Sequence, residues 1–271
     1  MLKTEMRNER TTHIDRMEIT EMVDIITDEN KNAVLAVEKV NAQIVRAIEQ
    51  VVESFQKGGR LFYIGAGTSG RLGVLDAAEC PPTYGVPREK VVGIIAGGER
   101  CMFMAAEGEE DNGNAGINDL KERGFSGKDV LIGLSVAGNA AYVVNAMEYA
   151  KSLGAKTVGI TSNVGSDLDK AADVSICPDT GAEVVTGSTR MKAGTAQKLI
   201  LNAISTCAMI KCGYVYENMM INLKPTNMKL TERMIRITQE IAKCEYDCAK
   251  KALENSDWNI RDAVKLLGKQ A

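Results

Sequence analysis

A glycine-rich segment, GAGTSG at residues 65–70, contains the residue types that point most directly to chemistry. It follows an apolar run and precedes a helical pattern, so it is predicted to be the turn between a strand and a helix. Free backbone N–H groups at a helix start, together with the helix dipole, favour a bound anion. The hydroxyls of Thr68 and Ser69 add donors beside Gly67, which suits a phosphate monoester. We therefore predict a phosphate-binding turn here.

The same glycines also fit the GxGxxG pattern of dinucleotide-binding folds. In those folds an acidic residue about 20 positions further on holds the ribose. Here the second predicted strand ends at Ile95, and Glu99 follows only after two glycines. A phosphosugar is favoured, and a dinucleotide stays open as the alternative.

Carboxylates follow each of the first two predicted strands. Glu79 stands in DAAECPP, where the prolines are expected to end a helix and to present the carboxylate toward a cleft. Glu110 stands in the acidic stretch EGEED at 107–111, at the carboxyl edge where open α/β sheets bind ligands. Two such carboxylates can serve as an acid and a base. A solvated acidic loop is the competing interpretation.

A third polar segment, GAEVVTGSTRMKAGTAQK at 181–198, precedes a long predicted helix. An elaborate N-cap would explain part of it, but Ser188, Arg190 and Lys192 are more than one cap requires. We predict a helix start that faces a ligand. The one histidine, His13, is expected to be exposed, which disfavours Ser-His-Asp and Cys-His hydrolases.

The elements that must position these residues alternate between short apolar runs and helix-length segments. Buried strands separated by helices predict an α/β fold with a doubly wound parallel sheet. The predicted strands are Arg60–Ile64, Val91–Ile95, Val130–Leu134, Thr157–Thr161 and Val174–Ile176.

Helical patterns precede and follow the predicted strands in the sequence. A first helix is expected to be capped by Asp28 and to stop at Gly58, and a long helix to run from about Arg190 to Lys211. The predicted organisation is an N-terminal helical segment at 1–57, an α/β domain at 58–222 and a C-terminal helical module at 223–271. The module loosely resembles a ubiquitin-associated three-helix unit, and a packing role or a dimer brace is favoured for it.

Composition excludes several classes of protein. The 271 residues carry 33 Lys plus Arg against 36 Asp plus Glu, with no basic run to suggest nucleic acid. The longest nearly apolar stretch, 199–210, is short of the roughly 20 residues that span a bilayer. The first residues lack the apolar stretch of a secretory signal. Seven cysteines without a CxxC pair favour reduced thiols in the cytoplasm over a metal site.

Several of these segments together resemble the N-acetylmuramic acid 6-phosphate etherase family, whose core is a sugar isomerase (SIS) domain. The resemblance implies a homodimer with active sites near the subunit interface, an amino-sugar phosphate as substrate and no metal or organic cofactor. The segments are the leader TE…RN…ID at 4–15, GAGTSGRLGVLDAAECPPTYG at 65–85, AGGERCMFMAAEGEED at 96–111, the 181–198 segment and INLKPTNMKL at 221–230.

The family reaction removes D-lactate from N-acetylmuramic acid 6-phosphate and leaves N-acetylglucosamine 6-phosphate, in recycling of the bacterial cell wall. The resemblance places the acid/base glutamate of the family's ECPP motif on Glu79 and the second catalytic glutamate, in the EGxED motif, on Glu110. It also matches Thr68 and Ser69 to the first ligand loop. Ser188, Arg190 and Lys192 match its helix-start motif.

One segment departs from the family pattern. After the third strand the family carries a loop resembling ASGRTPY, whose hydroxyls hold the sugar phosphate. Here VAGNAAY stands at 136–142, so Ala137 and Ala140 replace the hydroxyl residues and Asn139 replaces the arginine. Ser135, Gly138 and the backbone N–H groups of the helix start are left as candidate ligands beside Asn139. Losing two donors to a charged group would weaken phosphate binding on the order of 10²-fold.

Three interpretations follow from this departure. The chain is an etherase with a rearranged anchor, an etherase with a different muramic substrate, or a sensor comparable to the glucokinase regulatory protein, which resembles these etherases and binds phosphosugars without converting them. Since a sensor has no use for an acid/base pair, the presence of both Glu79 and Glu110 favours an enzyme.

Overall fold

The computed structural model describes residues 2–105 and 108–269. A leader of three short 3₁₀ turns, Lys3–Glu5, Glu9–Thr11 and Ile14–Arg16, precedes helices α1 (Ile19–Glu38) and α2 (Asn41–Gln56). A capping box starts α1, since the Glu18 N–H donates to the Glu21 side chain at 3.1 Å and the Glu18 side chain accepts in return.

The prediction of one N-terminal helix capped by Asp28 is wrong. Asp28 lies inside α1, where its carboxylate pairs with Arg10 and Lys31. The chain turns at Val40 (φ −111°) before α2 begins, which lets both helices pack against the same later helix. The predicted stop is confirmed, because α2 ends at Gln56 and Gly58 takes a φ of +77°.

Five parallel strands form the sheet of the described chain, in the order β2-β1-β3-β4-β5. The predicted doubly wound parallel sheet is therefore confirmed, with strand bounds that differ by one residue at most at either end. The strands are β1 (Leu61–Gly65), β2 (Val91–Ile95), β3 (Val130–Leu134), β4 (Lys156–Ile160) and β5 (Val174–Ile176).

Alternate strand residues bury against helices on opposite faces of this sheet, as the two-residue period of a strand requires. Leu61 and Tyr63 face the layer of α2, α3 (Gly67–Tyr84) and α8 (Lys192–Lys211). Phe62 and Ile64 face the opposite layer. That layer contains α5 (Gly113–Glu122), α6 (Ala141–Ser152) and α7 (Asp167–Ala171); the short α4 (Arg100–Phe103) lies after β2.

The strand order reverses at β1, which pairs with β2 on one side and with β3 on the other. Crevices for ligands in open α/β sheets form at the carboxyl ends of strands where the order reverses. The loops that follow β1 and β3 border this point, and they contain the predicted phosphate-binding turn and the departing segment 136–142.

The C-terminal segment has a small core of its own. A hairpin, β6 (Val215–Tyr216) and β7 (Met219–Met220), leads into α9 (Met228–Ala242), α10 (Tyr246–Asn255) and α11 (Ile260–Leu266). Ile221 and Leu223 pack into the same cluster as the three helices. Arg261 ties the module to the end of α8 by a 2.7 Å hydrogen bond to the Gly213 carbonyl. Its likeness to a ubiquitin-associated unit stays a prediction.

All seven cysteines lie within the described ranges and are free thiols. None of the helices in those ranges has the length and apolar character needed to cross a membrane.

Candidate functional site

The turn from β1 into α3 has no room for a side chain at two of its glycines, Gly65 and Gly70. A Cβ added to Gly65 would lie 2.7 Å from the Gly70 nitrogen, and one added to Gly70 would lie 2.6 Å from the Gly65 oxygen. Gly67 takes a φ of +53°, and the N-cap residue Ala66 offers no capping side chain. The helix start therefore presents backbone N–H groups to a ligand, as a phosphate site requires.

A cavity of about 280 Å³ opens over this turn. Gly67 and Arg71 of α3 line one side, and Glu109 and Glu110, in the loop after β2, line the other. Glu110 is exposed. The structure thus brings the predicted Glu110 beside the predicted phosphate turn. Glu107, the first residue of the acidic stretch, lies outside the described residues.

Two arginines hold the wall of this cavity. Arg71 donates from Nε to the Met102 carbonyl at 2.9 Å and from a terminal nitrogen to the Met104 carbonyl at 3.0 Å. Arg100 pairs with Glu109 at 2.5 Å. Of the two neighbouring glutamates, Glu109 is therefore paired with Arg100, whereas Glu110 has no ion-pair partner among the described residues.

Glu79 does not lie at a helix end. Helix α3 continues through Pro81 and Pro82 to Tyr84 and stops at Gly85, which takes a φ of +63°. The prediction that the prolines end the helix is wrong, because a proline ring fits a helical φ and these two remove N–H donors only from the last turn. Glu79 therefore extends from the side of a helix.

The two predicted catalytic glutamates line different cavities of one chain. Glu79 follows Gly67 by twelve residues, which is about 18 Å along a helix. It lines a cavity of about 250 Å³ between α3 and α8, together with Lys198 and Asn202. The expectation that Glu79 and Glu110 face one cleft from adjacent loops is wrong for a single chain, since Glu79 lies on a helix and the two carboxylates line different cavities.

A buried polar network fixes α3 against α8 beneath Glu79. Asp76 accepts hydrogen bonds from the Tyr63 hydroxyl at 2.9 Å, Asn202 at 2.8 Å and Ser205 at 3.2 Å. Burial, and then the Asp76 carboxylate, raise the pKa of Tyr63 well above its usual range, so the phenol stays a donor. Burial likewise raises the pKa of Cys80 to about 12. These groups hold the Glu79 helix rigidly.

The start of α8 is capped from within the protein. The buried Glu183 carboxylate accepts from the backbone nitrogens of Lys192 at 3.1 Å and Ala193 at 2.9 Å. The next two N–H groups, of Gly194 and Thr195, donate to backbone carbonyls. The prediction of a ligand-facing helix start is therefore wrong for these N–H groups, and capping accounts for them.

Lys192, predicted to bind substrate, is buried instead. Its side chain is 1% exposed, and its Nζ bonds to the Glu29 Oε2 at 2.5 Å and the Ala182 carbonyl at 2.7 Å. Burial alone would raise the pKa of Glu29, but hydrogen bonds and charge from Lys192, with Arg10 and Asn8, hold that pKa below its usual range. Because the ammonium's neighbours are protein groups, direct contact between Lys192 and substrate is excluded in this conformation.

The first turns of α3 and α8 meet at the phosphate turn. A Cβ on Gly194 would lie 3.7 Å from the Thr68 methyl group. The Ser69 hydroxyl is buried and donates to Gln197 at 3.0 Å, so it braces the two helices. Ser188 is half-buried and Arg190 exposed in the loop just before α8. Of these predicted ligands, Thr68, Ser188 and Arg190 keep side chains that a ligand can reach.

The loop after β3 is shaped by its own residues. Ser135 accepts from the Gly138 nitrogen at 3.0 Å, and a Cβ on Gly138 would lie 2.2 Å from Ser166 Oγ. Ser135 and Gly138 thus shape the loop, and their role as ligands stays a prediction, since the Ser135 hydroxyl accepts this bond and keeps its own proton to donate. Asn139 is exposed, and Ala140 leaves α6 without a capping side chain.

Three residues at the site escaped the sequence argument. Arg71 had a usable signal, since it follows the glycine-rich turn directly and is the fifth residue of its helix. Glu183 had a weaker one, a carboxylate ahead of a long helix. Glu29 had none, because it lies 163 positions from its partner Lys192.

Comparison with known proteins decides the family. The chain is 49% identical over 266 residues to the N-acetylmuramic acid 6-phosphate etherase of Clostridium botulinum (strain Loch Maree / Type A3), covering 98% of this chain and 88% of that protein. The chain belongs to the N-acetylmuramic acid 6-phosphate etherase family. The etherase of Actinobacillus pleuropneumoniae serotype 5b (strain L20) is 50% identical, over 97% of this chain and 87% of its own.

Domain models and solved structures agree with the SIS fold of this etherase family. Models of the glucokinase regulatory protein N-terminal SIS domain and of the SIS domain match residues 43–151 and 125–206. Phosphoheptose isomerase GmhA from Neisseria gonorrhoeae superposes with a TM-score of 0.55 at 19% identity, covering 70% of this chain and 98% of that one. A protein of Escherichia coli CFT073, solved as a complex, gives a TM-score of 0.54 at 18% identity, covering 73% of this chain and 95% of its own. At these identities the likeness concerns the fold.

Proposed function

We propose that this chain catalyses the reaction named by its family, cleavage of the D-lactyl ether of N-acetylmuramic acid 6-phosphate. The observation that carries the proposal is identity of 49–50% with etherases over 97–98% of the chain. The products are N-acetylglucosamine 6-phosphate and D-lactate, as in recycling of cell-wall amino sugars.

The reaction needs one proton acceptor and one proton donor. In the open-chain sugar the C1 aldehyde acidifies the C2 proton, and a base removes it while the C3–O bond breaks. The departing lactate oxygen takes a proton from an acid. Water then adds to the unsaturated aldehyde, placing its hydroxyl on C3 and a proton on C2, so the sum is hydrolysis of the ether.

We assign this proton transfer to Glu79 and Glu110. Glu110 is exposed beside the phosphate turn, and Glu79 is exposed on a helix held rigid by the Asp76 network. Positioned acid/base groups contribute about 10²–10⁴-fold each. Glu79→Gln should therefore remove most turnover while the fold persists, and retained D-lactate release would reject the assignment.

The 6-phosphate is proposed to bind at the start of α3. The first backbone N–H groups of α3 have no capping side chain, and Thr68 lies in this first turn opposite Gly194 of α8. Ser188 and Arg190 lie in the loop just before α8. An anion at the start of α3 also gains from the helix dipole. The start of α6, with exposed Asn139, is the second candidate anchor.

We propose that the active unit is a homodimer whose sites lie near the subunit interface. Glu79 is about 18 Å along α3 from the phosphate turn of its own chain, which supports a site completed by a partner's Glu79. A face suited to a second copy exists where α2 and α8 expose Val45 and Ile210 beside half-buried Val52, around a groove of about 470 Å³. Exposed apolar patches of this kind mark interfaces.

D-lactate release tests the function directly. Wild-type protein is incubated with N-acetylmuramic acid 6-phosphate, and D-lactate is measured by coupled oxidation. Ala137→Ser with Ala140→Thr is the companion variant, since it returns the two hydroxyls. We expect release by wild type and a lower KM in the variant; no release by either protein would refute the proposed activity.

A phosphosugar-binding regulator is the second candidate. It is supported by the glucokinase regulatory protein model, which matches residues 43–151, and by the missing hydroxyls at 137 and 140. Thermal stabilisation by N-acetylglucosamine 6-phosphate without any D-lactate release would select it. An etherase with an altered muramic substrate would release lactate from the unphosphorylated sugar instead. The free thiols support a cytoplasmic setting for any of these roles.

A further inference from the structure

An ion pair between Lys192 and Glu29 is almost completely buried. The side chains are 1% and 5% exposed, and the Nζ–Oε2 distance is 2.5 Å. Removing two charges from water costs free energy that their attraction offsets only with good geometry and further hydrogen bonds. A buried ion pair is therefore weak evidence that the pair stabilises the fold. The location of Lys192 and Glu29 points to a different role.

Four segments of the chain meet at this pair. Arg10 donates to Glu29 Oε1 at 2.7 Å, and Asn8 donates to Oε2 at 2.9 Å. The Ala182 carbonyl accepts from Lys192 at 2.7 Å and from Asn8 at 3.3 Å. The leader, α1, the turn at 182 and the start of α8 are thus tied at one point.

That point lies at the base of the loop that leads into α8, whose first turn faces Thr68. The Lys192 backbone nitrogen bonds to Glu183, so residues 183–192 form a loop closed at its base. Ser188 and Arg190 lie within this loop, ahead of the α8 turn that touches Thr68. Any shift of the Lys192 anchor therefore moves these side chains relative to the phosphate turn.

We propose that Glu29 and Lys192 are positioning residues that hold the 183–191 loop over the phosphate turn, with Asn8 and Arg10 of the leader completing the anchor. The pair acts through Ser188 and Arg190 and does not contact substrate. For the ligand's identity this inference rests on the proposed etherase function. Through these contacts the leader helps to position the residues of the proposed active site.

Removing both charges separates positioning from stability. Glu29→Gln leaves the buried Lys192 ammonium without its counter-ion, and Lys192→Met leaves the buried Glu29 carboxylate with Arg10 as its one remaining cation, so either variant should unfold at a lower temperature. Glu29→Met with Lys192→Met leaves neither charge, so thermal stability should return. We expect the double variant to keep a KM raised about tenfold, with kcat changed much less, because binding and not chemistry is lost. A double variant with wild-type KM would overturn the proposal.

Two further variants keep the test decisive. Lys265→Met breaks an exposed pair with Asp262, whose side chains are 60% and 54% exposed, and should leave KM unchanged. Asn8→Ala removes the leader's hydrogen bonds to Glu29 and the Ala182 carbonyl, together with the Asn8 cap on the Arg10 nitrogen, and carries the test if the double variant does not fold. It should raise KM about three- to tenfold, and an unchanged KM would count against the anchor.

A binding measurement distinguishes this inference from the function on which it rests. If wild-type protein releases no D-lactate, the etherase proposal fails. Titration calorimetry with N-acetylglucosamine 6-phosphate then compares wild type with the double variant. An affinity about tenfold weaker in the variant supports the anchor, and equal affinities refute it.

Discussion

Mixing two inactive variants should restore activity if each site takes one glutamate from each copy of the chain. Glu79→Gln and Glu110→Gln should each lower D-lactate release by about 10²–10⁴-fold. In a hybrid dimer of the two, one site has Glu110 from the first chain and Glu79 from the second, so it is intact. The other site has neither glutamate.

The expected magnitude follows from the geometry of α3. This helix keeps Glu79 about 18 Å from the phosphate turn of its own chain, and the Asp76 network prevents it from bending toward that turn. A purified hybrid should therefore have about half of wild-type turnover per dimer, and a randomly exchanged mixture about a quarter, since half of its dimers are hybrids.

The assay uses two affinity tags, coexpression and purification of the hybrid, followed by measurement of D-lactate. The matched control joins a wild-type chain to the double variant Glu79→Gln/Glu110→Gln. With shared sites this control is inactive, whereas sites built within one chain would leave it half-active. An inactive hybrid beside a half-active control would refute the reasoning, and sedimentation of the wild type checks that dimers exist.

Three predictions concern the scaffold. Glu183→Ala should destabilise the protein by about 3 kcal/mol in urea unfolding, because two backbone N–H groups lose a charged acceptor. Gly85→Ala should lower the melting temperature more than Gly124→Ala. Both glycines have a positive φ, so the backbone strain is similar. A Cβ on Gly85 would also lie 1.8 Å from a backbone oxygen, whereas a Cβ on Gly124 would meet open space. Burial raises the pKa of Cys80 to about 12, so iodoacetamide at pH 8 should spare Cys80 in native protein and alkylate exposed Cys248, as mass spectrometry would show.

Each of these three predictions would be contradicted by a specific result. Wild-type stability without the Glu183 carboxylate would mean that α8 needs no cap. Equal melting temperatures for the two glycine variants would mean that the 1.8 Å contact relaxes freely. Alkylation of Cys80 at the rate of Cys248 would mean that α3 opens locally.

The sheet and the phosphate turn were predictable because their signals are local. Buried strands read as short apolar runs, and three strand ranges agree with the structure without any shift. The shape of the turn at 65–70 follows from its own glycines, since Gly65 and Gly70 are five residues apart in sequence and approach too closely for either to carry a side chain. Family membership likewise came from contiguous motifs.

The sequence neighbours of a polar residue did not predict whether its side chain is buried, caps a helix or faces a ligand. Capping by Glu183 competes with ligand binding for the same N–H groups, and the sequence allows both. The prolines at 81 and 82 suggested a helix end because their usual effect is local, but the last turn of α3 tolerates the loss of two donors.

The sequence by itself determined the parallel α/β sheet, the tight glycine-rich turn between β1 and α3 and the presence of two carboxylates suited to acid/base chemistry. Only the tertiary structure decided that Lys192 is buried against Glu29 and that Glu79 and Glu110 line different cavities of one chain. The physical reason is distance along the chain. Strand patterns and tight turns depend on residues a few positions apart, whereas the partner of a charge is chosen by packing between segments that are 163 residues apart.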